Sequence, residues 1–430
     1  MLGKNNKGRE KRSMKKRALT VLLAALMVIS LLAPAAMATD FETLPEDLAS
    51  LELFQSITLR DFEIESSSAA LVDFAPFAQD LYLLGLFRGV APGNFALNRA
   101  PNRAEALVML IRLLGAEEAA QTSTYEHPFN DVRGRWMEPY VAFAYEYDLT
   151  NGTTGTTFAP DQAVTAQMYV TFALRALGYS DAPGGDFAWA GALSFGAAVG
   201  VWDAVLAEGP FLRGHAAAVS FLTIAALMAD EDYMLLEVLV DEGVVSAAAA
   251  TPILNRIDLY DLYLATEGVL ARSVATGGSS VQTITLTATI AGESFEETLV
   301  QQHPLPTDLV AFLEFGAFPF PRLVLLSEIS GTTVGGATVL TKTFRAAFLT
   351  AILEQMATDL ASSLAEELGE TVTVAGTPTG TYEERLTVNA AGQVTGIYVS
   401  SEFTVNLLVA GVTMTVNSHV VTNIQVAFQG

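Results

Sequence analysis

Cysteine is absent from the 430 residues. That excludes a disulfide scaffold, a thiolate metal site, a cysteine nucleophile and a cysteine for lipid attachment. Lysine all but vanishes after residue 17. Lys342 then stands alone, and the other bases are arginines. The four histidines, His127, His215, His303 and His419, form no metal-ligand pair and stand beside no nucleophile motif. Neither a P-loop nor a dinucleotide fingerprint occurs. Glu383 and Glu384 are neighbours on a candidate strand, so they point to opposite faces and cannot share acid–base work. No catalytic residue, metal or cofactor is expected. Positive charge is scarce as well. The net charge is −24, and it becomes more negative once the basic N-terminal segment is set aside. Such a surface repels nucleic acid and anionic lipid headgroups. What the chain has is apolar residues, 51% of the total, and enough length for two or three domains.

Residues 4–17 are dense in lysine and arginine, opposed only by Glu10. Residues 18–38 carry no charge and close on Ala36-Met37-Ala38. A basic head, an apolar run and a small-x-small end predict an export signal over 1–38. A retained anchor is the alternative, because the run is long enough to span a bilayer. No later stretch is, so no membrane span is expected after cleavage. Residues 39–70 are acidic and aperiodic, with Ser66-Ser67-Ser68 near their end, and read as a linker.

From 71 onward a helix–turn–helix pattern recurs. The first unit, 71–120, contains Asn102-Arg103-Ala104-Glu105 and closes on Leu113-Leu114-Gly115. The second, 125–183, contains Phe129-Asn130-Asp131-Val132, Trp136, the turn Asn151-Gly152-Thr153-Thr154-Gly155 and Thr165-Ala166-Gln167. The third, 184–232, is worn down to Trp189, Val201-Trp202 and Leu212-Arg213-Gly214-His215. Trp136, Tyr140, Phe143 and Tyr147 share one helical face, as do Ala106, Met109, Leu110 and Leu113. A single hairpin cannot bury such a face alone, so several are expected to pack together. Residues 233–254 read as a helical connector.

This pattern resembles the S-layer-homology domain, with its aspartate and tryptophan before helix one, its glycine turn and its Thr-Arg-Ala-Glu start of helix two. The resemblance implies an all-α bundle of three repeats about a pseudo-threefold axis. It also implies grooves that bind secondary cell-wall polysaccharide, often carrying pyruvate ketals. The family's motif arginine maps onto Arg103. Repeat two has Ala166 there, and repeat three keeps Arg213 without a capping side chain before it. The expected polysaccharide-binding residues are therefore Arg103, Arg213, Asp131, Trp136, Trp189 and Gly152. Asn102 and Glu105 support them as a capping box. Free amides at a helix N-terminus beside a guanidinium would make an anion site suited to an acidic sugar. Trp136 and Trp189 could stack on pyranose rings or simply pack in the core. Asp131 could accept from sugar hydroxyls or form a turn.

Residues 255–430 read as an α+β domain, an antiparallel sheet packed on a long helix. Residues 283–290 alternate Thr with apolar side chains, turn at Ala291-Gly292 and return over 295–302. A helix is expected over 344–368, with Phe348, Ile352, Met356 and Leu360 on one stripe. Strands are expected over 382–388, 394–399, 403–410, 412–416 and 420–428. The arrangement is similar to lipoprotein-carrier-like domains, an analogy of fold alone. The expected function is non-covalent anchoring to wall polysaccharide, with the C-terminal domain displayed at the cell surface. A wall-tethered carrier of a lipid or other hydrophobic ligand is the first alternative. A wall-remodelling enzyme is the second.

Overall fold

The computed structural model describes residues 72–207, 209–270, 277–290, 293–304, 329–343, 371–409 and 412–427, together with 350 and four pairs between 353 and 365. The expected export signal and linker lie outside these residues, as do Phe348, Ile352, Met356 and Leu360. The chain forms two compact units. One holds the described residues up to Asp258 and the other those from Leu259 onward.

The first unit is helical. α1 (Ala75–Leu83) starts with a proline in its first turn, where a missing N–H costs nothing. α2 (Arg103–Leu113) is set by the Asn102/Glu105 capping box, in which each residue's side chain accepts from the other's backbone N–H. Ala106, Met109, Leu110 and Leu113 are buried along it. α3 (Glu117–Gln121) follows Gly115, which sits at φ +69° against the Val244 side chain. α4 (Glu138–Glu146) and α5 (Ala166–Ala176) come next, α5 capped by Thr165 Oγ1 on Met168 N–H. α6 (Ala192–Ala198), α7 (Arg213–Ile224) and α8 (Leu235–Asp241) complete the unit, and α9 (Ala247–Leu270) runs on past Asp258. Phe77, Phe129, Phe158, Tyr169, Phe172 and Phe221 are wholly buried among these elements.

One expectation fails here. The Trp136–Tyr140–Phe143–Tyr147 stripe is not the buried face of its helix. Trp136 is 58% exposed and Tyr147 54%, and only Phe143 is buried. The small residues Val141, Ala142 and Ala144 make the inward contacts instead. Trp136 precedes the helix and Tyr147 follows it, so helical spacing does not fix where those two rings point.

The described strands of the second unit form one antiparallel sheet in the order β2-β1-β8-β7-β6-β4-β3, with β5 also paired to β7. These are β1 (Gly277–Ile290), β2 (Glu293–Pro304), β3 (Ile329–Val334), β4 (Ala337–Thr343), β5 (Val372–Val374), β6 (Thr379–Val388), β7 (Val394–Val409) and β8 (Val412–Ala427). β7 and β8 are each single strands, not the two short strands expected of each. Ser400-Ser401-Glu402 and Asn417-Ser418-His419 read as breaks, yet the ladder continues through them, with Glu402 opposite His419. Ile397, Val399, Ser401, Phe403, Val405 and Leu407 alternate inward along β7. The described residues between 350 and 365 are helical, and Leu353, Ala357, Ala361 and Leu364 are buried. Leu353 lies against the sheet: a Cβ on Gly380 of β6 would stand 2.9 Å from its Cδ1. Helices thus occupy the first unit and an antiparallel sheet the second. Among the described residues, no helix is long and apolar enough to cross a membrane.

Candidate functional site

The start of α2 is docked rather than open. Arg103 N–H donates to Gln162 O at 2.8 Å, and Ala104 N–H donates to Pro160 O at 3.0 Å. Glu105 N–H is taken by Asn102 Oδ1 at 2.8 Å. Of the free amides expected of an anion site, two are therefore spent on the loop that leads to α5 and the third on the cap. The Arg103 side chain turns the same way. Its Nε donates to Phe158 O at 2.9 Å and one terminal nitrogen reaches Thr150 Oγ1 at 3.4 Å. The guanidinium lies over the rings of Phe158 and Phe172, 4.9 and 4.8 Å from their centroids, and the residue is 5% exposed. Burial, then repulsion from Arg175, lowers its pKa to about 10, so it stays charged at neutral pH.

Arg213 repeats this geometry at the start of α7. Its N–H donates to Arg99 O and that of Gly214 to Leu97 O, each at 2.9 Å. Its Nε donates to Phe95 O at 2.9 Å and a terminal nitrogen to Arg88 O at 2.8 Å. The ring beneath it is Phe87. Phe95, Leu97 and Arg99 are thus to Arg213 what Phe158, Pro160 and Gln162 are to Arg103. At α5 the matching residue is Ala166, which has no side chain to reach across. Nearby, Gln167 donates to Trp189 O at 2.6 Å.

Asp131 is committed to the same construction. Its two carboxylate oxygens accept from the N–H groups of Phe158 and Ala159, at 2.9 and 2.7 Å. It thereby fixes the carbonyl that Arg103 uses. Gly152 has φ +75°, and a Cβ there would stand 2.3 Å from Phe129 Cε1. Its place in the turn is steric. Trp136 and Trp189 are exposed, so neither is a core residue. Trp136 meets Tyr140 edge-on at 6.2 Å.

Several contributors were not anticipated. Arg99 is exposed and grips Glu105 through both carboxylate oxygens, at 2.9 and 3.0 Å. It borders an open cavity of about 720 Å³, whose wall includes Ala75, Phe95 and Leu97. That pairing, with the Asn102 amide, outweighs burial and holds the Glu105 carboxyl below its usual pKa. Arg112 pairs with Glu117 after α2, and Arg175 with Asp181 after α5, both largely buried. The signal for these was an arginine near a helix end with a carboxylate five or six residues on.

Comparison with known proteins places a family match on the second helical pair. Residues 128–165 match the S-layer homology domain. The chain carries an S-layer homology domain and is a cell-surface protein. The chain is 32% identical over 100 residues to a surface layer protein of Brevibacillus choshinensis. It is 29% identical over 108 residues to the middle cell wall protein of Brevibacillus brevis, and 28% identical over 164 residues to an endoglucanase of Bacillus sp. strain KSM-635. These alignments cover 23%, 25% and 38% of this chain, but only 9%, 10% and 15% of the relatives. The S-layer homology match takes in Asp131, Trp136, Gly152 and Phe158, and ends at Thr165, the cap of α5.

Proposed function

We propose that the helical unit is a non-covalent anchor to secondary cell-wall polysaccharide and that the sheet unit is the part it displays. In this reading three repeats, 71–120, 125–183 and 184–232, close around a pseudo-threefold axis. The observation that carries it is the pair of equivalent docks at Arg103 and Arg213, the first of them seated on the matched S-layer homology segment. Arg103, Arg213, Asp131 and Gly152 shape the grooves by fixing the loops. Trp136 and Trp189 offer exposed indole faces to sugar rings. Arg99, at the lip of the cavity, is the cation that an acidic substituent such as a pyruvyl ketal would meet. The groove beside Ala166 lacks its arginine and contributes least. The role is attachment, not turnover.

The test is co-sedimentation of the full chain with walls of its own host, before and after the polysaccharide is extracted. Binding that depends on the polysaccharide, and that falls when Trp136 and Trp189 are both changed to alanine, supports the reading. Equal binding to stripped and intact walls refutes it.

A further inference from the structure

The dock at α7 differs from the dock at α2 in one respect that matters for pH. The third residue of α2 is Glu105; the third residue of α7 is His215. The His215 ring is 3% exposed and lies between Phe74 and Phe211, with centroids at 4.8 and 5.6 Å. Its Nδ1 accepts the N–H of Leu212 at 3.2 Å. Its Nε2 is buried and has no hydrogen-bond partner. The neutral ring fits this place as the tautomer with its hydrogen on Nε2, which leaves Nδ1 free to accept. The imidazolium does not: Nδ1 would also carry hydrogen and would face the Leu212 N–H, and the buried Nε2–H offers the new charge no acceptor. The added charge would also sit at the positive end of a twelve-residue helix.

The charged groups of the surrounding elements offer no relief. Asp73, beside Phe74, accepts from Ala75 N–H. Arg213, on the same turn, brings a second positive charge and points to Phe95 O and Arg88 O. Arg99, on the docked loop, is paired with Glu105. Among the described residues, no carboxylate stands within ion-pair distance of the ring. Burial accordingly lowers the pKa of His215.

We propose that His215 makes this dock acid-labile: protonating its imidazole frees the first turn of α7 from the loop 88–99, while the α2 dock stays closed. The sign follows from linkage. A base with a depressed native pKa stabilises nothing in acid. Docking is strongest above the ordinary histidine value of about 6.5 and weakens as pH falls below it, by up to about tenfold per pH unit. The α2 dock holds a carboxylate with a lowered pKa instead, so it weakens only below the usual carboxylate range.

The experiment is hydrogen exchange on the full chain at pH 7.5 and 5.0, corrected for chemical exchange rates. It reads the amides of Arg213 and Gly214 against those of Arg103 and Ala104. The expected result is a fall in protection of about tenfold or more at the first pair and little change at the second. In His215→Gln, whose amide oxygen can still accept from Leu212 N–H but does not titrate, the fall should vanish. Equal pH responses at the two docks in the wild-type chain overturn the proposal, and need no variant. A fall that persists in His215→Gln overturns it too.

Discussion

Replacing Arg103 with alanine removes a guanidinium that is 5% exposed, two hydrogen bonds and the cation over two rings. The Phe158 carbonyl loses its charged donor, which costs about 1–3 kcal/mol. The emptied volume between Phe158 and Phe172 adds a further cavity cost, so about 3 kcal/mol in all is expected. For a unit of this size that lowers the melting temperature by roughly 6–12 °C. Methionine should do better than alanine. It keeps the volume between the rings and avoids burying a charge, a cost that offsets much of what a buried cation contributes. Arg99→Ala is the control. That side chain is exposed, and its pair with Glu105 is worth about 0–1 kcal/mol. Thermal unfolding of the three variants, followed by circular dichroism, gives the order Arg103→Ala, then Arg103→Met, then Arg99→Ala in loss of stability. If Arg103→Ala melts within a degree or two of Arg99→Ala, the residue is not a clamp and the account of both docks fails.

Three further expectations concern other parts of the chain. Gly152→Ala should cost about 2 kcal/mol or more, because the site has positive φ and Phe129 fills the space. Gly155→Ala, with open space around it, should be near neutral by the same melting assay. In the sheet unit, Lys342→Ala should cost about 3–5 kcal/mol in chemical denaturation. Lys342 is buried beside Glu384 at 2.8 Å and Tyr263 at 2.8 Å, and its loss leaves the carboxylate with the Tyr382 hydroxyl but without its cation. The double change Lys342→Met with Glu384→Leu should recover most of that loss, and failure to recover would show that the pair contributes more than its own burial cost. Third, the Arg112 contact holds the Glu117 carboxyl below its usual pKa. That contribution is present above the ordinary carboxylate value and lost as pH falls through the lowered one. Glu117→Gln should therefore flatten the acid limb of the stability–pH curve below about pH 4.5.

Much of the local architecture was legible because its causes are local. The Asn102/Glu105 box reads from a spacing of three residues. The alternation over 283–290 reads from period two, and the structure pairs those residues with 293–300. The β3–β4 hairpin could have been read from Gly335-Gly336, which occupy φ +60° and +83° between two Thr/Val-rich runs. What stayed hidden depends on distant partners. The acceptors of Arg103 and Arg213 lie in other loops, so each looked like an arginine at an open helix end. Trp136 is exposed because it stands before the first turn of α4, outside the helix whose spacing was read through it. Lys342 and Glu384 meet only because β4 and β6 are registered so that the two stand opposite.

The two clamps also differ in how much chain they enclose. Arg103 reaches a carbonyl 55 residues ahead of it, whereas Arg213 reaches back 118 and 125 residues. Doubling a loop adds only about 0.6 kcal/mol of closure entropy, so the finished dock loses little by its length. The order of events is affected more. A chain that emerges N-terminus first can seat Arg103 once Phe158 is available. The carbonyls of Arg88 and Phe95 must wait until residue 213 has appeared. During synthesis, and again on any passage through a membrane pore, the first helical pair has one side closed and the other waiting. A truncation that ends before α7 would leave it in that state permanently.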